Sequence, residues 1–255
     1  MDEITYILKI SYDGTNYYGW QKQPDVPTVQ AELENVLTKL WNKPIRTVGA
    51  SRTDRGVHAQ DQCVSFVAEK KFTEDELTRK LNLMLPQDIA VLSIKLSEEK
   101  FDARFDSIGK LYTYKIYFDK DPFKLRYGLW LARPMDMDDV EILGEVSQLL
   151  EGEHNFSAFS IKKDLPENPI CNIKYAFWEF ELDRNSITFY INGNRFLHKM
   201  VRSLVGAMLD VARGKFSAEI FAKMLDTGER IVEFKTAPPQ GLTLEKVYYK
   251  EDFTM

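Results

Sequence analysis

The chain has few of the residues that hold metals or disulfides: its 255 residues include two cysteines and three histidines. Cys63 and Cys171 make neither a metal-ligand spacing nor a disulfide framework, so they are expected as reduced thiols. His58, His154 and His198 are equally scattered, and no zinc or haem centre is expected. Long apolar runs are missing too. None approaches the roughly 18 to 20 residues of a membrane span, and Met1-Asp2-Glu3-Ile4 lacks a basic-then-apolar leader, so the expectation is a cytoplasmic protein with no membrane contact. Positive charge is in deficit, with 34 Lys and Arg against 39 Asp and Glu, for a net charge of −5. That balance excludes a protein that coats nucleic acid nonspecifically. It does not exclude an RNA enzyme, because counterion release depends on local phosphate contacts and not on the sum. The acidic residues gather at Glu74-Asp75-Glu76, Glu98-Glu99, Asp136 to Glu141 and Glu251-Asp252, whereas basic residues accompany the motifs described below.

What is present is ordinary globular material, 44% hydrophobic and 29% charged, enough for one large or two small domains with real cores. Ile4 to Ser11 alternates like a half-buried strand, and Asp13-Gly14 breaks it. Tyr17, Tyr18 and Trp20 follow in a loop-like stretch, where they can stack on bases or cap a core. Thr28 to Asn42 reads as a capped amphipathic helix ended by Pro44. Cys63 to Ala68 reads as a strand. Thr73-Glu74-Asp75-Glu76 has capping-box form and opens a helix that Pro86 stops. Strands are expected over Ile89 to Leu96, Phe101 to Asp106 and Lys110 to Phe118. The last would carry Tyr112 and Tyr114 on one face. Asp119 to Phe123 suggests a boundary, dividing the chain into 1–119 and 120–255. Beyond it come a helix around Asp138 to Leu150, a hairpin of Ile173 to Leu182 and Ile187 to Ile191 turning about Asp183 to Ser186, and a helix over Phe196 to Ala212. A helix from Ser217 to Leu225, a Pro-Pro loop and a strand over Leu244 to Tyr249 complete the chain. Mixed elements with hairpin connections argue for an α+β fold with antiparallel pairing.

The stretch with the densest chemistry is Gly49-Ala50-Ser51-Arg52-Thr53-Asp54-Arg55-Gly56-Val57-His58-Ala59. One carboxylate, Asp54, lies between two arginines, with glycines supplying backbone freedom on either side. As local composition this is ordinary turn chemistry. As chemistry, an anionic carboxylate can be a nucleophile, a general base or a metal ligand. On the 196–212 helix, Arg195, Lys199, Arg202 and Gly206 recur at intervals of four, three and four, either as a solvated edge or as cations facing a site.

Arg52 to Ala59 resembles the signature of the tRNA pseudouridine synthase A (TruA) family, in which the Asp is catalytic. Further matches occur in the family's order: Ser11-Tyr12-Asp13-Gly14 with Tyr17-Tyr18-Gly19-Trp20-Gln21, Phe101 to Phe105, Lys110 to Tyr114, Phe196 to Arg202, and Ala237 to Leu242. The resemblance implies two similar halves, each a mainly antiparallel sheet flanked by helices. These would join into one extended sheet with a central cleft, residues 1–119 carrying the Asp loop and 120–255 completing the cleft. It implies a tRNA uridine-to-pseudouridine isomerase acting at positions 38, 39 and/or 40 of the anticodon stem-loop, working as a homodimer.

That reaction adds no group, so no cofactor is expected. It needs a nucleophile for C1′ or C6 of the uridine, a base for the C5 proton and a dry pocket. By resemblance, Asp54 is the catalytic residue, Arg202 supports its charge, and Tyr112 acts as base or stacks on the target base. Arg52 fills the gap left by the extruded nucleotide, and Leu242 walls the uracil pocket. Arg55, His58, Arg104, Lys110, Arg195 and Lys199 are candidates for RNA contacts, His58 equally as a structural hydrogen-bonder. Ser51, Arg55, Cys171 and Thr243 depart from the family's usual residues, as does Asn192-Gly193-Asn194-Arg195. Those departures bear on substrate choice more than on the reaction. The competing readings are a paralogue acting on other RNA positions, a non-catalytic RNA-binding module, and a metal-dependent hydrolase using Asp13 and Asp54.

Overall fold

The computed structural model describes residues 3–181 and 185–250. They form an α+β fold in two compact units, Met1–Ile108 with Leu244–Met255, and Gly109–Thr243. A division of the chain near Asp119 follows sequence order, whereas these units follow packing, and the last strand returns to the first unit.

In the first unit, β1 (Glu3–Tyr12) is followed by α1 (Val29–Trp41), β2 (Val48–Gly49), β3 (His58–Glu69), α2 (Glu74–Met84) and β4 (Ile89–Ser97). Strand β1 is central and antiparallel to both neighbours, with Ile7 opposite Ser65 on β3 and Lys95 on β4. Its residues Ile4 to Leu8 are all buried, so both of its faces are covered and the alternation marks two buried sides. Thr28 caps α1 by accepting from the Ala31 amide, and Asn42, at φ +54°, ends the helix two residues before Pro44. The Thr73–Glu76 capping box at α2 is formed as expected. Aromatic packing joins α1 to the sheet. Tyr6 and Phe66 stack at 4.8 Å between ring centres, and Trp41 meets Tyr6 edge-on at 5.3 Å.

The second unit contains β5 (Ser107–Tyr117), β6 (Leu129–Trp130), α3 (Met137–Gln148), β7 (Gly152–Asn155), β8 (Ile170–Glu181), β9 (Ser186–Gly193), α4 (Met200–Ala212) and α5 (Ala218–Thr227), and β10 (Leu242–Tyr249) begins in it. Its antiparallel strands run in the order β5-β9-β8-β7, and β6 adds a short parallel pair to β5. The β8–β9 hairpin is present, and part of its expected turn, 182–184, lies outside the described residues. Every residue of α4 except Arg202 is buried, which makes this helix the spine of the second core. Phe159 packs on Phe221 of α5 at 5.0 Å and on Phe234 at 5.7 Å.

Two expected elements differ. Residues 101–106 form a turn and not a strand: the Asp102 carboxylate accepts from the amides of Arg104 and Phe105, and the Asp102 amide donates to the Asp106 carboxylate. Side chains that satisfy neighbouring amides compete with a sheet ladder, and here they win. Helix α4 starts at Met200 and not at Phe196, because Lys199 adopts a left-handed conformation at φ +61°. Arg195 and Lys199 therefore share no helix face with Arg202.

Candidate active site

Asp54 is partly exposed in a turn whose backbone is tied down on both sides. The Val57 amide donates to the Asp54 carbonyl at 3.1 Å, closing the turn, and Gly56 takes φ +75° within it. Upstream, the Trp20 amide donates to the Thr53 carbonyl, and downstream the Gly56 amide donates to the Tyr17 carbonyl. Gly19, at φ +96°, lets the 17–20 loop approach this turn, since a Cβ there would come within 2.6 Å of the Thr53 carbonyl oxygen.

The anchors beneath the turn are buried polar side chains. Gln62, wholly buried on β3, accepts from the Ser51 amide at 3.0 Å and donates to the Ser51 carbonyl at 2.7 Å. It also donates to the Tyr12 hydroxyl at 3.4 Å, and Tyr12 shares a 2.7 Å hydrogen bond with the Thr53 hydroxyl. Tyr17 donates to Asp88, and burial, then that hydrogen bond and the negative charge of Asp88, raise the Tyr17 hydroxyl above the ordinary tyrosine range. It therefore remains a donor. Nothing in the local pattern singled out Gln62 or Asp88. Gln62 closes the polar run Gln60-Asp61-Gln62 ahead of the apolar part of β3, and nothing distinguishes it there.

Of the aromatic loop, Tyr17 and Trp20 belong to the core, whereas Tyr18 is exposed and carries the Arg55 guanidinium 4.1 Å above its ring. Arg52 and Arg104 are exposed. His58 is 4% exposed, and its Nδ1 accepts from the Gly14 amide at 3.1 Å with Asp13 at 3.2 Å. His58 is thus buried and hydrogen-bonded within the first unit. Asp13 in turn caps the 14–16 turn through the Thr15 amide and hydroxyl.

In the second unit, Tyr112 lies on β5 opposite Ile191, 6% exposed, with the Phe196 ring edge-on at 5.1 Å. Two residues along, Tyr114 donates to the Pro238 carbonyl at 2.8 Å. Its hydroxyl is raised by burial, with the positive charge of Arg202 opposing that shift. Arg202 Nε donates to the Ala237 carbonyl at 2.8 Å, and the Ala237 amide returns a bond to the Arg202 carbonyl. The 237–242 segment, ending in buried Leu242, is therefore held by β5 and α4 together. Lys110 is 8% exposed, Arg195 and Lys199 are partly exposed, and the Arg195 charge opposes the burial that pushes the Cys171 thiol up to about 11. Among the described residues no group of three or more His, Cys, Asp or Glu could hold a metal ion, and no helix is long and apolar enough to cross a membrane.

A family model described as tRNA pseudouridine synthase matches residues 9–106 and 146–250, taking in the Asp54 turn, Arg202 and Leu242. The chain belongs to this family. A tRNA pseudouridine synthase A from Methylacidiphilum infernorum (isolate V4) is 38% identical over 253 residues, covering 98% of this chain and 97% of that one. The Borrelia turicatae (strain 91E135) synthase of the same name is 36% identical, covering 96% of this chain and 98% of its own. The one from Aquifex aeolicus (strain VF5) is 34% identical, covering 95% and 98%. Similarity to the tRNA pseudouridine synthase A family thus extends along nearly the whole chain, including the 107–145 segment that the family model leaves out.

Proposed function

We propose that this member of the tRNA pseudouridine synthase A family isomerises uridine to pseudouridine in tRNA, at positions 38, 39 and/or 40 of the anticodon stem-loop, with Asp54 as the nucleophile. The observation that carries the reading is the Asp54 turn. A partly exposed carboxylate is held between two exposed arginines by a backbone anchored at Ser51, Thr53, Gly56 and Val57. Such a group can attack C1′ or C6 without moving its own backbone.

The reaction breaks N1–C1′, makes C5–C1′, removes the C5 proton and restores a proton at N1. No atoms enter or leave and no electrons are exchanged, so the chemistry calls for no cofactor. Tyr112 is proposed to meet the target base or take the C5 proton, Arg202 to act in the same reaction, and Leu242 to wall the uracil. Arg52 is proposed to replace the extruded nucleotide in the stack. Arg55, Arg104, Arg195 and Lys199 are proposed backbone contacts. A cytoplasmic homodimer belongs to the same proposal, since a dimer can join two modest basic strips on a net acidic chain. Light scattering after gel filtration checks it, and a monomer at working concentration would remove it.

The deciding experiment incubates wild type and Asp54→Asn with unmodified tRNA transcripts in EDTA, followed by carbodiimide mapping of pseudouridine. The expected result is product within positions 38 to 40 for wild type and none for the variant. Product at other sites would keep the chemistry and reassign the target. Absence of product on any RNA would leave a binding module.

A further inference from the structure

We propose that Gln62, Tyr12 and Thr53 form a buried positioning network that holds the Asp54 turn in its reactive geometry, and that this network sets the rate of the chemical step. The inference rests on the reading of Asp54 as nucleophile.

Three observations carry it. First, the three residues come from three places in the first unit, β3, β1 and the turn itself, and all are buried, at 0%, 4% and 7% exposure respectively. Second, they are joined in one chain of contacts: Ser51 backbone to Gln62, Gln62 to the Tyr12 hydroxyl at 3.4 Å, and Tyr12 to the Thr53 hydroxyl at 2.7 Å. Third, the chain ends on the residue preceding Asp54, whose carbonyl is separately held by the Trp20 amide.

The Gln62 amide has its orientation set by Ser51. Its oxygen accepts the Ser51 N–H, so its nitrogen faces the Ser51 carbonyl and has a second hydrogen for Tyr12. A buried network connected this way fixes its members in one arrangement, and removing one hydroxyl costs its partner a hydrogen bond where no water replaces it readily. None of the three side chains is open enough to meet an RNA, so their effect passes through Asp54. That makes them positioning residues and not catalytic ones.

The test measures single-turnover pseudouridine formation and tRNA affinity for Tyr12→Phe, Thr53→Val, the double variant and Thr53→Ser. In parallel, amide hydrogen exchange is read over residues 51–57 in the free proteins. Tyr12→Phe and Thr53→Val should each slow the chemical step about tenfold or more, since small misplacements of a reacting group carry that cost. tRNA affinity should stay within about twofold, because no RNA contact is removed. The double variant should be no slower than the worse single one, because both break the same link. Thr53→Ser, which keeps the hydroxyl, should restore most of the rate. Exchange over 51–57 should quicken in both hydroxyl-deleting variants while the rest of β3 stays protected.

Rate losses that multiply in the double variant, a failure of Thr53→Ser to recover, or unchanged exchange at 51–57 would each overturn the proposal. A wild type that forms no pseudouridine on any RNA would instead overturn the functional reading, and with it the claim about rate. The exchange measurement then still decides whether the network fixes the turn.

Discussion

Arg202 and Ala237 are bound to each other twice. The guanidinium Nε of Arg202 donates to the Ala237 carbonyl at 2.8 Å, and the Ala237 amide donates to the Arg202 carbonyl at 3.0 Å. The Nε–H of the guanidinium is therefore committed to the loop that leads to Leu242. Lysine has no donor at that point of its side chain. Arg202→Lys, keeping the charge, should lower the rate of pseudouridine formation about tenfold through lost positioning while the thermal midpoint changes little. Activity equal to wild type would show that charge alone suffices.

The same loop rests against α4 at Gly206, where an added Cβ would overlap the Lys235 carbonyl oxygen. The obstacle is backbone, so the loop has to shift. Gly206→Ala should destabilise the protein by about 1–3 kcal/mol, the usual range for overpacking, although alanine is the better helix former. Urea denaturation measures it, and an unchanged or higher midpoint would contradict the packing.

Arg55 is held over Tyr18 by ring contact, and no hydrogen bond or ion pair engages it among the described residues. Its N–H edge is therefore available to a phosphate. Arg55→Ala should weaken tRNA binding and reduce the slope of log affinity against log salt by about 0.9, the contribution of one phosphate contact. Filter binding over a salt series reads this directly. A parallel shift of the line without a change of slope would mean that Arg55 touches no phosphate.

Burial pushes the Cys63 thiol up from 9.0 to about 12, and Tyr249 beside it is raised by burial as well. A folded-state value above the unfolded one means that the native protein holds its proton over a window in which the unfolded chain has lost it. The associated stability is whole below about pH 9 and disappears as pH rises towards 12. The unfolding free energy from urea titration should therefore fall across that window, by at most about 1.4 kcal/mol per pH unit from each group. Cys63→Ala should flatten part of the fall. A thiol reagent at pH 8 should find Cys63 unreactive until the protein unfolds.

At the acid end, the Glu76 carboxyl is held below the ordinary range by the Thr73 amide and hydroxyl of the capping box. Here the folded value is the lower one, so the stabilisation is present above the unfolded value and is lost as pH falls through the folded one. Protection factors of the amides in the first turn of α2, taken against intrinsic exchange at each pH, should fall on acidification through that range. In Glu76→Gln the dependence should be weaker, since glutamine still accepts from the same amide without titrating.

The sequence by itself determined the elements whose causes are local. These include the Thr28 cap, the Thr73–Glu76 box, the apolar stripe of α4 and the period-two strands, each legible because the interacting residues lie within a turn or two of one another. It also carried the Arg52 to Ala59 motif, since a run of consecutive residues is readable without any fold. Only the tertiary structure decided what surrounds that motif. Gln62 meets Tyr12 across 50 residues, Tyr17 meets Asp88 across 71, and Tyr114 meets Pro238 across 124. No periodicity encodes such pairs, because strand register and loop path bring them together. The two misread segments have the same origin. Asp102 satisfied nearby amides where a strand was expected, and Lys199 took a left-handed conformation where the helix was expected to have begun at Phe196. In both, backbone hydrogen bonding and the path of the chain overrode a pattern of hydrophobicity, and that pattern reports which face is buried but not where an element begins.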